Sequence, residues 1–99
     1  MCNEMYRLRN KLSKRGVSWE DKSSIYTTSP IDVTIYRTHF TVEGYLFSVI
    51  YGYGTYGGVD VFGNDRGLLE CMTEKVNGGE PLGSLTADDV MAIIDGQEG

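Results

Sequence analysis

The run GYGTYGGV, Gly52 to Val59, fits a phosphate-loop pattern letter for letter. Glycines at 52, 54 and 57 give G-x-G-x-x-G, and Val59 completes the form that covers ATP phosphates in protein kinases. Such a loop works because glycine lets backbone N–H groups approach phosphate oxygens closely. The flanking residues do not supply the rest of that chemistry. A dinucleotide fingerprint needs strand, loop and helix inside a βαβ unit of about thirty residues. Here the motif runs into Val59-Asp60-Val61-Phe62, which is strand-like. A kinase needs a lysine on the next strand, and Asp60 stands where that segment should be building toward it. The motif therefore reads as a Gly-rich hairpin loop with tyrosines packed over it.

The remaining reactive residues are few. His39 is the single histidine, in HFT, which resembles half of the H-x-T pairs of two-histidine phosphoesterases. One such element cannot supply both an acid and a base. A Cys–His nucleophile pair would need Cys71 beside His39 and a third orienting group. Leu69 and Met72 around Cys71 point instead to a buried, inert thiol. Structural zinc finds no C-x-x-C and no H-E-x-x-H. Asp60, Asn64, Asp65 and Glu70 resemble a calcium loop, but Phe62 occupies the third ligand position. No metal, no cofactor and no catalytic set is expected, and the chain reads as a non-enzyme.

The tyrosines are the more informative group. Tyr51, Tyr53 and Tyr56 cluster in one loop with Thr55. Tyrosine gives large contact area at low entropic cost and tolerates partial exposure, so it is enriched at interfaces. Asp65 and Glu70 lie in the acidic segment Asp60 to Glu74, which could compete for a basic groove on a partner. These six residues are the candidate partner-binding set. A nucleotide-like small ligand, stacked on the tyrosines of loop 51–58 with phosphate on its N–H groups, is the alternative.

Charge narrows the partner. The formal net charge is −5, and it is unevenly spread. Residues 1–22 hold six basic and three acidic groups, a balance of +3, which leaves −8 on residues 23–99. A nucleic-acid binder needs a broad basic field, so direct nucleic-acid binding is not expected. The first fifteen residues are charged rather than apolar, unlike a signal peptide. The longest apolar run, Tyr45 to Tyr51, is far short of the ~20 residues that span a bilayer. Two cysteines, Cys2 and Cys71, are too few for a secreted disulfide scaffold. A cytoplasmic protein with reduced thiols and no membrane partner is expected.

The positioning elements follow from periodicity. Residues 3–15 read as a helix with Met5, Leu8 and Leu12 on one stripe and Gly16 at its end. Val17 to Glu20 reads as a short strand with Trp19 inward, and the polar stretch Asp21 to Pro30 as a loop. Ile31 to Phe40 and Tyr45 to Tyr51 read as strands joined by a Glu43-Gly44 turn, the second apolar on both faces and so central. Gly67 to Thr73 and Pro81 to Leu85 read as further strands, with Asn77-Gly78-Gly79 as a turn. Thr86 is a good N-cap with Asp89 at N3, ahead of Ala87, Val90, Ile93 and Ile94. A single α+β domain over 1–99 is expected, an antiparallel sheet of four to five strands with an N-terminal and a C-terminal helix packed on one face. The other face is then left for solvent, a partner or a second copy of the chain.

The order helix–Gly–Val-x-Trp, then YGTYGG, GLLE and LTADDV, resembles small proteins encoded by phages and prophages of Firmicutes-type gut bacteria. That resemblance covers most of the chain and transfers no site. It implies an accessory protein that binds and inhibits a host protein, anti-defence roles included.

Overall fold

The computed structural model describes residues 3–28, 31–55, 57–60 and 62–96, with residues 26–28, 31, 32 and 77 described in backbone only. Helix α1 (Asn3–Lys14) buries Met5, Leu8 and Leu12 completely. Truncating such a leucine to alanine costs about 2–5 kcal/mol, because the cavity left behind collapses only in part. Gly16 ends the helix at φ 80°, where its N–H donates to Ser13 and the next N–H, of Val17, donates to Leu12. That pair of bonds is a Schellman cap, and the left-handed residue it needs is best made by glycine.

The strands are β1 (Trp19–Asp21), β2 (Ser24–Thr28), β3 (Ile31–Val42), β4 (Tyr45–Tyr51), β5 (Leu69–Thr73) and β6 (Leu82–Leu85). They form one antiparallel sheet in the order β1-β3-β4-β5-β6, with β2 on β3. The α+β architecture and the central place of β4 agree with the sequence reading. Two local expectations do not hold. Residues 24–28, expected in a loop, are a strand paired through Tyr26↔Val33 and its neighbours. Of residues 59–62, expected to be strand-like, Val61 lies outside the described residues and the other three are in no strand; Val59 makes isolated bridges, to Tyr53 and to Asp65.

Glu43 and Gly44 connect β3 to β4 with φ of 54° and 84°, both positive, as a two-residue hairpin turn compatible with strand twist requires. Residues 36–42 of β3 pair with β4, whereas residues 31–35 pair with β2 on the opposite edge. The β2–β3 ribbon thus runs past the end of the main sheet, and the molecule measures 42 × 25 × 22 Å.

Alternation decides which face is the core. Thr38 and Phe40 of β3, Phe47, Val49 and Tyr51 of β4, and Leu69, Cys71 and Thr73 of β5 are all buried and share one side. Phe40 stacks on Phe47 with centroids 4.9 Å apart. Helix α2 (Ala87–Ile94) brings Ala87, Val90, Met91, Ile93 and Ile94 onto the same side as α1. Its N-terminus carries the expected capping box: Asp89 N–H donates to Thr86 Oγ1, and Thr86 N–H donates to Asp89 Oδ2. Glu4 of α1 adds a third acceptor, taking the Ala87 N–H at 2.8 Å. Both helices therefore cover one face of the sheet, and no helix covers the other.

Candidate functional site

The Gly/Tyr loop is held by its own backbone. Thr55 N–H and Val59 N–H donate to the Gly52 carbonyl, Gly54 N–H donates to Val59, and Gly58 N–H donates to Thr55. Gly52 N–H donates to Thr55 Oγ1, whose hydroxyl in turn donates to the Gly52 carbonyl. Five N–H groups of residues 52–59 are thus directed inward, where a phosphate loop would direct them at its ligand.

The glycines have packing reasons. A Cβ on Gly58 would lie 2.2 Å from Thr55 Oγ1, one on Gly52 2.9 Å from the Thr34 carbonyl, and one on Gly57 2.7 Å from the Ser84 backbone. Gly54 meets nothing within 4 Å and is set only by its φ of 80°.

The six residues singled out from sequence do not form one surface. Tyr51 is buried, its ring stacked on Tyr36 at 6.3 Å and its hydroxyl donating to Asp65 Oδ2 at 2.5 Å. Asp65 also accepts the Gly67 N–H, so it ties a turn to the core. Glu70, expected on an acidic surface, is buried at 7% exposure. Thr55 is half-buried and engaged within the loop. Tyr53 is open, at 47% exposure, and Tyr56 lies outside the described residues.

The titratable groups are committed to structure. Burial, with the Glu70 carboxylate beside it, pushes the Cys71 thiol up to about 12, where it stays protonated. His39 sits on the opposite face of the sheet, two strands away, so the two cannot pair. His39 Nε2 shares a 3.1 Å hydrogen bond with Ser48 Oγ, and burial holds its pKa below the usual histidine range, helped by Arg37 and Lys22. Asp60 accepts N–H groups of Phe62 and Asn64 and the Asn64 amide, an Asx-turn arrangement that holds its pKa low. Among the described residues no group of three or more His, Cys, Asp or Glu stands close enough to hold a metal ion. No helix among them is long and apolar enough to cross a membrane.

The basic first helix is neutralised from within. Arg7 and Lys11 pair with Asp88, Arg15 pairs with Asp95, and Arg9 reaches Asp21 at 3.4 Å. Arg9 also lies over the Trp19 ring at 4.9 Å and donates to Thr38 Oγ1, satisfying the one buried hydroxyl on β3. A helix so paired presents little of the field that phosphate binding needs.

What stands open is the part of the sheet face opposite the helices that carries Leu46 and Met72. Leu46 is 57% exposed and Met72 41% exposed, both on that face, with Ser48 of β4 the cross-strand partner of Met72. Leu46 forms a ridge between two open depressions of about 570 Å³ each. One is lined by Lys22, Glu20 and His39, with Lys22 and Glu20 paired at 2.9 Å. The other is lined by Tyr45, Leu46, Ser48, Met72 and Glu74, closed by Gly78 and Gly79.

Sequence reasoning missed this second depression. Its only signal was that β4 is apolar on both faces, which reads as central without saying that one face stays bare. The chain matches no family model, no curated protein and no solved structure.

Proposed function

We propose that this chain is a non-enzymatic interaction protein that binds another macromolecule through the uncovered face of its sheet. The observation that carries this reading is that Leu46 and Met72, both exposed, line one depression on a face no helix covers. Exposed apolar side chains grouped in one depression are a feature of protein contact surfaces. Support also comes from the commitments of the reactive groups, with Cys71 held protonated, Asp60 hydrogen-bonded within its own turn and His39 bonded to Ser48. In the phage or prophage setting that the sequence resembles, the partner is a host protein in the cytoplasm and the outcome is inhibition.

The test is a native mass spectrum of the tagged full chain recovered from a bacterial lysate. A complex heavier by a whole polypeptide is expected. Recovery of the bare chain, or of a metabolite-sized adduct, would sink the interaction reading.

A further inference from the structure

We infer that the depression between Leu46 and Met72 docks a basic, aliphatic peptide segment of the partner protein. This rests on the interaction reading above and gives it a place and a chemistry. The floor is apolar, made by Leu46, Met72 and the ring of Tyr45, all at least 41% exposed. Glu74 lines one wall. Glu43 and Glu80, both exposed, adjoin the lining residues Gly44 and Gly79.

Among the described residues no cation pairs with Glu43, Glu74 or Glu80, although six ion pairs are formed elsewhere. The unpaired Glu74 carboxylate on the wall of an apolar floor, with Glu43 and Glu80 next in sequence to its lining glycines, favours an occupant that is aliphatic at its centre and cationic at its margins. The depression across the Leu46 ridge lacks this bias, because Lys22 already answers Glu20 there. A nucleic acid meets repulsion at such a rim, and a second copy of the chain brings the same net charge of −5.

The experiment is a titration of the ¹⁵N-labelled full chain with two synthetic peptides. One alternates Lys with Leu or Val; the other has Glu in place of every Lys. The basic peptide is expected to shift amide signals at Gly44, Leu46, Ser48, Met72, Glu74 and Gly79. Its binding should weaken with added salt, and by about threefold or more in Glu74→Lys. Equal binding of both peptides, shifts centred elsewhere, or undiminished binding by Glu74→Lys would overturn the inference. Glu74 and Met72 are exposed, so the variants keep the native amide spectrum as a folding control.

The lysate experiment repeated with Glu74→Lys and Met72→Glu separates the two levels. A polypeptide retained by both variants would overturn this groove and leave the interaction reading standing. A polypeptide lost from both while the fold is intact supports the groove. No polypeptide on the unaltered chain would remove the reading itself.

Discussion

Gly57 faces Ser84 so closely that a Cβ at position 57 would lie 2.7 Å from both the N and the Cα of Ser84. The contact joins the middle of the Gly/Tyr loop to the edge strand β6, and the Leu68 N–H seals it by donating to the Gly57 carbonyl at 2.9 Å. Ser84 meets the loop with φ 57°, a left-handed conformation that costs a non-glycine residue roughly 1 kcal/mol. The glycine motif is therefore a packing device between a loop and a strand.

Replacing Gly57 by alanine forces backbone against backbone and adds a strained φ of 99°, so a loss of about 2–4 kcal/mol is expected. Gly54→Ala meets no atom and should cost only about 1 kcal/mol, from its φ. Ser84→Gly should raise stability by a few tenths to about 1 kcal/mol. Urea midpoints at constant slope check the order of the three.

His39 gives a pH dependence with a known sign. Its folded pKa lies below the ordinary value of 6.5, chiefly through burial. Stability is then fully present above the unfolded pKa and is lost as pH falls toward and through the folded one. Since His39 is the single histidine, the slope of stability between about pH 7 and pH 5 belongs to it. Thermal melts across that range should show the slope in the native chain and its loss in His39→Asn. A slope unchanged by the substitution would disprove the assignment.

The helix–helix ion pairs act lower on the pH scale. Lys11 and then Arg7 hold the Asp88 carboxyl below its ordinary range, and Arg15 does the same for Asp95. Lowered carboxyl pKa values contribute stability that is present above the unfolded value and lost as pH falls through the folded one. Acid unfolding should thus steepen below about pH 4, and less so in an Asp88→Asn, Asp95→Asn variant. High salt should shrink the difference, since these groups are solvent-exposed and screened.

Cys71 should be inert while the chain is folded. Its side chain is buried and its thiol is pushed up to about 12, so thiolate is scarce at neutral pH. In a Cys2→Ser variant, labelling by iodoacetamide should be slow in buffer and complete in denaturant. Prompt labelling of the folded chain would show that β5 opens readily.

Both helices were legible because local signals agree with their packing. Gly16 and Thr86 mark ends, and the stripes Met5, Leu8, Leu12 and Ala87, Val90, Ile93, Ile94 are the buried ones. Strand β2 was illegible because SIYTT is polar and short, and only its pairing with residues 31–35 of β3 makes it a strand. Val59 to Phe62 misled in the other direction. The Asp60 carboxylate captures the N–H groups of Phe62 and Asn64, and that side-chain chemistry overrides a strand-like composition. Glu70 misled because charge was read as exposure; by register it continues a cross-strand row from Arg37 through Ile50. The open depression was invisible because Tyr45, Leu46, Met72 and Glu74 come from separate segments and meet only in the sheet.

The pairing of α1 with α2 has a consequence in time. Glu4 meets Ala87, Arg7 meets Asp88 and Arg15 meets Asp95, contacts spanning 83, 81 and 80 residues of chain. At about 5–20 residues per second, a ribosome needs roughly 4–16 s to make α2 after α1 has been made. For that interval the stripe of Met5, Leu8 and Leu12 has no α2 to pack beside it, and a 12-residue helix is marginal alone. Helix α1 is thus made well before its partner can lock it, and the nascent chain carries an unfinished apolar stripe for that interval.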